Sequence, residues 1–236
     1  MKLFLTISFV LVLLVLLVLS TNLFAQEVSR ELKFRQVAEL NAQIRVLEDE
    51  FLLPSPQDSR LAKAEGFEAV RLMPRENFDG KILIQGGGSY FSFTTGSHDY
   101  QKIAQIGLEQ NSLKVGFAGA DYGFLFDLGE VPLSSVSREA PMVAFLISYR
   151  PPTNLSELRK EQSKAHKYET ESGTLRSYVK AVVGHTYVLR AITFDSADAL
   201  VALSIIRKDT DGSLICFWRK LETFEKPVLI RDKVEN

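Results

Sequence analysis

The feature that most constrains this chain is a change in its hydrophobic period. From Glu27 to Leu53 the apolar residues recur every three or four positions, and from Phe67 to about Ser148 the period changes to two. Val37, Leu40, Ile44, Leu47 and Phe51 lay one apolar stripe along a helix over 27–53. Arg35, Glu39, Arg45, Glu48, Asp49 and Glu50 take the other faces. The stripe covers about two heptads, fewer than the roughly three to four of a lasting coiled coil. It fits equally a stalk that self-associates through residues 27–53 and a helix packed on its own domain. Pro54 ends this helix. Ser55-Pro56-Gln57-Asp58 then reads as an N-cap, a proline at the first helical position and an acid in the first turn. A short helix to about Glu65 follows, and Gly66 stops it.

Beyond Gly66 the short apolar runs alternate. Ile82/Ile84, Tyr90 to Phe93, Ile106/Leu108, Leu113/Val115/Phe117, Phe124/Phe126 and Val143/Phe145/Ile147 read as strands. Turn signals separate them at Asp79-Gly80, Gly86-Gly87-Gly88, Gln110-Asn111-Ser112 and Gly129 to Pro132. Asn154-Leu155-Ser156-Glu157 is a capping box, so a mostly polar helix runs from Leu155 to about Tyr168. Three long strands, Leu175–Val183, His185–Phe194 and Ala199–Arg207, precede a turn at Lys208 to Ser213 and a fourth strand, Leu214–Leu221. The pattern predicts a mainly β fold with added helices (α+β). It is an antiparallel sandwich or a curled sheet or barrel, preceded by an N-terminal helical stalk. The segments are 1–25 as a signal, 26–66 as the stalk, 67–224 as the β-rich domain and 225–236 as a tail.

The first segment is read from Met1-Lys2, an uncharged apolar run from Leu3 to Leu19, and a polar junction ending at Ala25. That is the pattern of a secretory signal cut after Ala25. The run is also close to the roughly 18 residues of a spanning helix, so an uncleaved anchor is the alternative, with membrane contact through residues 3–19. Both readings put the rest of the chain outside the cytoplasm, in the periplasm, secreted, or held at the inner membrane. The sequence holds 28 basic and 29 acidic side chains, a net charge of −1. Mixed charge near zero argues against a nucleic-acid partner, which requires a basic face. Cys216 is the only cysteine, which excludes an internal disulfide and a cysteine-rich zinc site.

Few residues stand out for chemistry. His98 lies in a polar loop, Asp121 sits among small residues, and His185 opens a strand after Gly184. A hydrolytic or metal-dependent site built from His98, Asp121 and His185 is one hypothesis, because an acid can orient a histidine. No Gly-x-Ser-x-Gly, His-Glu-x-x-His or His-x-His motif accompanies them. Tyr90, Tyr100 and Tyr122 flank glycine or polar loops and are candidates for a platform that stacks on a sugar or peptide. Gly86-Gly87-Gly88 joins one strand to another with no following Lys-Ser or Lys-Thr, so it reads as a tight crossing rather than a phosphate cradle. Asp209 to Ser213 resembles the start of a calcium loop, but Lys220 stands where the closing acid belongs. No cofactor and no metal ligand set is demanded.

Four segments carry a resemblance: Pro74 to Gly80, Gly86 to Phe93, Val115 to Leu125, and Val183 to Arg190. They are similar to those of an uncharacterised family of exported bacterial proteins. The resemblance implies export and a single domain over roughly Phe67 to Leu221, and it assigns no site residue. The sequence as a whole favours a non-enzymatic envelope protein acting in binding or assembly, with an unknown protein or glycan partner.

Overall fold

The computed structural model describes residues 29–100, 103–117 and 119–230. The signal reading of 1–25 and the end of the tail lie outside the described residues. The chain divides into two units, one ending at Leu47 and one beginning at Glu48. Helix α1 spans 29–52, and the stripe residues Val37, Leu40, Ile44 and Leu47 are exposed on it. Among the described residues no helix is long and apolar enough to cross a membrane.

The second unit starts earlier than a boundary at Gly66 would place it. Leu52 and Ala62 are fully buried in it, so the last turn of α1 and the next helix belong to the globular core. That next helix, α2 (Pro56–Ala64), begins as its sequence dictates, with the Ser55 hydroxyl accepting from the Asp58 amide at 3.1 Å. Asp58 then takes both arms of the Arg207 guanidinium at 2.8 Å each, and this pins α2 to the sheet. The Arg207 bonds, the largest influence, hold the Asp58 carboxyl below the usual carboxylate range.

The remaining elements in chain order are β1 (Glu68–Leu72), α3 (Arg75–Phe78), a 3₁₀ turn (Gln85–Gly88), β2 (Tyr90–Phe91), β3 (Ile106–Glu109), β4 (Ser112–Lys114) and β5 (Asp121–Asp127). They continue with a second 3₁₀ turn (Leu133–Ser135), α4 (Pro141–Ser148), α5 (Leu155–Ala165), β6 (Tyr168–Thr170), β7 (Gly173–Leu175) and β8 (Tyr178–Lys180). Three long strands close the fold: β9 (Thr186–Thr193), β10 (Ala197–Lys208) and β11 (Leu214–Thr223). The five-stranded sheet has the order β1-β11-β10-β9-β5, and the four-stranded sheet β2-β3-β4-β8; β6 and β7 form a hairpin of their own. Every strand pair is antiparallel, and the sheets do not close into a barrel.

Alternation along the long strands sorts their side chains into two cores. Val188, Ile192, Leu200, Ala202, Ile215 and Phe217 face α4 and α5, where they meet Val143, Leu146 and Leu158. Leu189, Val201, Leu203, Ile205, Cys216 and Trp218 face the other way and meet Ile106, Leu108 and Leu113 of the four-stranded sheet. The five-stranded sheet is therefore covered on both faces, while the four-stranded sheet packs only one face inward.

Three expected strands turn out otherwise. Val143, Phe145 and Ile147 lie on α4: Pro141 supplies its first turn, and the buried residues Met142, Val143 and Leu146 follow helical spacing. Ile82 to Ile84 form bends, held where the Leu83 amide donates to the Glu48 carboxylate. The single strand over Leu175–Val183 is two. Arg176 makes an isolated bridge to Leu125 of β5 between them, and the chain passes there from one sheet to the other.

Candidate functional site

The outward face of the four-stranded sheet carries the site. Tyr90 pairs with Gly107, Gly107 with Lys114, and Lys114 with Tyr178, so one cross-strand row runs over all four strands. Two positions from Gly107 along β3, on the same face, stands Glu109. The intervening residues Phe91, Ile106, Leu108 and Leu113 point into the core. Gly107 makes room at the centre of this row. A Cβ there would lie 2.9 Å from the Tyr90 ring and 3.0 Å from the Phe117 ring, so only a bare backbone lets both rings lie on the sheet.

An aromatic cluster results. The Tyr90 and Tyr100 rings are 4.7 Å apart, and Phe117 meets Tyr90 edge-on at 4.9 Å. Tyr90 is buried beneath the other two, whereas Tyr100 and Phe117 are half-buried and Tyr178 is exposed. These side chains line a cavity of about 420 Å³ together with Arg75, Glu109 and Lys114. Within it Glu109 is the hub. Its Oε1 accepts from Arg75 Nη1 at 2.8 Å and from the Tyr90 hydroxyl at 2.7 Å, and its Oε2 accepts from Lys114 Nζ at 2.7 Å. Burial alone would raise the Glu109 pKa, but the bonds from Lys114, Tyr90 and Arg75 outweigh it and hold the carboxyl at about 2. Burial, with Glu109 beside it, pushes the Tyr90 phenol well above its ordinary value. Arg75 also reaches Asp79 at 3.0 Å. Every cation on the floor is thus matched by a carboxylate, and the cavity presents rings and hydrogen-bonding groups with little net charge.

A second cavity, of about 220 Å³, adjoins the first and shares Val115, Gly116, Phe117, His166 and Ser177 with it. Its far side holds Asp121 and Gln162. Gly116 (φ +76°) is required at the junction, since a Cβ would sit 2.8 Å from the Tyr122 backbone. Gln162 of α5 donates to the carbonyls of Gly119 and Asp121 at 2.9 and 3.0 Å, tying the helix to the β4–β5 connection. His166 Nδ1 lies 3.1 Å from the Ser177 hydroxyl at the neck between the cavities. Burial pushes the Asp121 carboxyl up to about 6, opposed by a hydrogen bond with Thr193.

That shift has a stability consequence with a definite sign. The folded pKa exceeds the unfolded value, so ionising Asp121 costs folding free energy. The cost is absent below about pH 4, where both states are protonated, grows between about pH 4 and 6, and is complete above. Asp121→Asn, which keeps a bond to Thr193, is expected to raise the melting temperature at about pH 8 and leave it nearly unchanged at about pH 4. Scanning fluorimetry at the two pH values checks this, and equal shifts at both would contradict it.

The structure separates the His98, Asp121 and His185 set. Asp121 pairs with Thr193 and Asp127 with Tyr187, so Asp121 and the residue before β9, His185, lie at opposite ends of one ladder, about 20 Å apart. His185 Nδ1 instead contacts both oxygens of Asp127 at 3.0 Å. His98 lies beside β2, 2.8 Å from the Tyr90 carbonyl oxygen and edge-on to Phe91 at 5.1 Å. Burial pushes its pKa down to about 4. Among the described residues no group of three or more His, Cys, Asp or Glu side chains is placed to hold a metal ion.

Of the three tyrosines, Tyr90 and Tyr100 share the larger cavity. Tyr122 borders the smaller one and is otherwise buried in the helix-side core, its hydroxyl 3.0 Å from that of Tyr149. The glycine run is a crossing: the Gly87 amide donates to Ile84 and the Ser89 amide to Gly86, so these donors are spent on the turn itself. Asp211 caps its own hairpin by accepting from the Ser213 amide and hydroxyl. A larger cavity of about 500 Å³, bordered by Phe67, Val131, Leu133, Ile205 and Phe217, has mostly apolar walls and no comparable polar network.

Glu109, Lys114, Phe117 and Tyr178 enter the site from positions the sequence reading did not select. For Glu109 and Lys114 the signal was the complement of the core pattern, since they alternate with buried Leu108 and Leu113. Comparison of the chain with protein-family models, with curated proteins and with solved structures finds no match.

Proposed function

We propose that this chain is an exported, non-enzymatic binding module whose ligand sits on the outer face of the four-stranded sheet. Export rests on the apolar run Leu3 to Leu19 and the Ala25 junction. The binding reading rests on one observation: four strands jointly present a ring-lined cavity over a floor where Arg75, Glu109 and Lys114 already satisfy one another. Such a floor is pre-organised, so little ordering entropy is lost on binding. The half-buried rings Tyr100 and Phe117 supply apolar area with fixed geometry. A ligand with one apolar face and a polar rim, such as a sugar or a short peptide, suits these walls. The catalytic alternative needs His98, Asp121 and His185 together, and along the β5–β9 ladder Asp121 and His185 alone stand about 20 Å apart.

Glycan and peptide arrays probed with the full chain test the reading. Tyr100→Ala is expected to weaken the binding found by about 30-fold, the size of an aromatic hot spot, with little change in thermal stability because Tyr100 is half-buried at the rim. Binding that is indifferent to both Tyr100→Ala and Phe117→Ala would place the ligand elsewhere and overturn the proposal.

A further inference from the structure

Resting on that reading, we infer that the two adjoining cavities act as one groove that takes an extended, uncharged glycan chain rather than a single small ligand. Three observations carry this. The first is continuity. The cavities of about 420 and 220 Å³ share the neck residues Phe117, His166 and Ser177. The smaller one alone is below the roughly 300 Å³ at which small-molecule pockets begin, so it is an extension of the larger rather than a site of its own.

The second is charge. Arg75 is held by Glu109 and Asp79, and Lys114 by Glu109. An anionic ligand would have to break these pairs to reach a cation, and a cationic one would compete with two cations for Glu109. An uncharged ligand leaves the network whole.

The third is the order of surfaces along the groove. The rings begin at one end with half-buried Tyr100 and reach the neck with Phe117. Polar groups take over there, with His166 and Ser177 at the neck and Asp121 and Gln162 at the other end. A sugar unit offers a C–H face to the rings and hydroxyls at its edge, and the next unit in a chain repeats those hydroxyls at the polar end. A peptide held by strand pairing would need an unpaired sheet edge, whereas these rings lie over a sheet face.

The test is isothermal titration of the full chain with neutral glucan, xylan and chitin fragments, each as monomer, dimer and trimer. For the fragment series that binds, affinity is expected to rise about tenfold or more from monomer to trimer. Asp121→Ala should remove most of that gain while leaving the monomer's affinity as it was. Tyr100→Ala should weaken monomer and trimer alike. Gln162→Ala, which frees the β4–β5 connection from α5, serves as a second probe should Asp121→Ala fold poorly, and is expected to act as Asp121→Ala does. Affinity independent of chain length, or equal losses for monomer and trimer in both Asp121→Ala and Gln162→Ala, would overturn the extended groove while leaving the ring-lined site standing. Binding of uncharged peptides, but of no glycan, with the same loss in Tyr100→Ala would overturn the glycan assignment alone. Indifference of all binding to both Tyr100→Ala and Phe117→Ala would remove the underlying site and this inference with it.

Discussion

Replacing Arg190 by methionine is expected to cost about 3–5 kcal/mol of folding stability, the largest loss among the changes considered. Arg190 is 1% exposed and Asp198 is 2% exposed. Arg190 stands opposite Leu200 across the β9–β10 ladder, so Asp198, two residues back on β10, is its diagonal neighbour on the same face. That face is the helix-side core. Nε and Nη2 donate to the two Asp198 oxygens at 2.8 and 2.6 Å. Nη1 donates to the carbonyls of Leu146 and Tyr149 at 2.5 and 2.8 Å, at the end of α4 where no intrahelical partner remains. The Phe224 ring centroid lies 3.7 Å from the guanidinium carbon.

Methionine fills much of the volume but leaves a buried carboxylate alone and takes the side-chain donor from the Leu146 carbonyl, while the Tyr149 carbonyl keeps only the Arg150 guanidinium at 3.2 Å. The double replacement Arg190→Met with Asp198→Leu is expected to regain most of the loss, because no charge is then stranded. Urea unfolding followed by circular dichroism measures both. A cost below about 1 kcal/mol for Arg190→Met would show that water reaches the site and that the pair does not hold α4 to the sheet.

What the sequence disclosed and what it hid follow from the range of the forces involved. Local chemistry was legible. Ser55 and Asn154 cap the helices that follow them. Gln110 and Asn111 take the positive φ values, 48° and 57°, of the expected hairpin. The strands β9 to β11 fall where alternation and the Asp-Gly turn put them. Val143 to Ile147 misled because an unbroken apolar run fits either period, and the choice was made by Pro141 and by the core it meets. Arg190 sits in a strand that otherwise reads as apolar, and nothing within a few residues of it announces Asp198 or the α4 carbonyls.

The candidate site shows the same division. Tyr90 was found from its neighbours, and Glu109 and Lys114 were readable as the outward half of the alternation. Arg75 arrives on a separate helix, and Phe117 arrives on a loop. Only tertiary placement brings them to the row of Tyr90, Gly107, Lys114 and Tyr178.

The glycine run offers the sharpest test of that placement. Gly87→Ala is expected to lose about 3 kcal/mol, from two separable causes. At φ +62° a Cβ meets its own backbone, at a cost of about 1–2 kcal/mol. It would also lie 2.6 Å from the Asp79 amide nitrogen and press on the Phe78 carbonyl, both backbone atoms that cannot rotate aside, and such overpacking adds about 1–3 kcal/mol. Gly96 separates the two. Its φ is +66°, but a Cβ there meets nothing within 4 Å, so Gly96→Ala is expected to lose only the first part. The excess at Gly87 is the collision. Phe78 and Asp79 end the short helix α3 that carries Arg75, so relief by movement of α3 must draw Arg75 from Glu109. Gly87→Ala is therefore expected to weaken ligand binding as well as folding, while Gly96→Ala weakens folding alone. Chemical denaturation and titration of both variants give the answer. Equal losses in the two would mean that the crossing yields freely, and that the glycines shape the chain without holding the cavity floor in place.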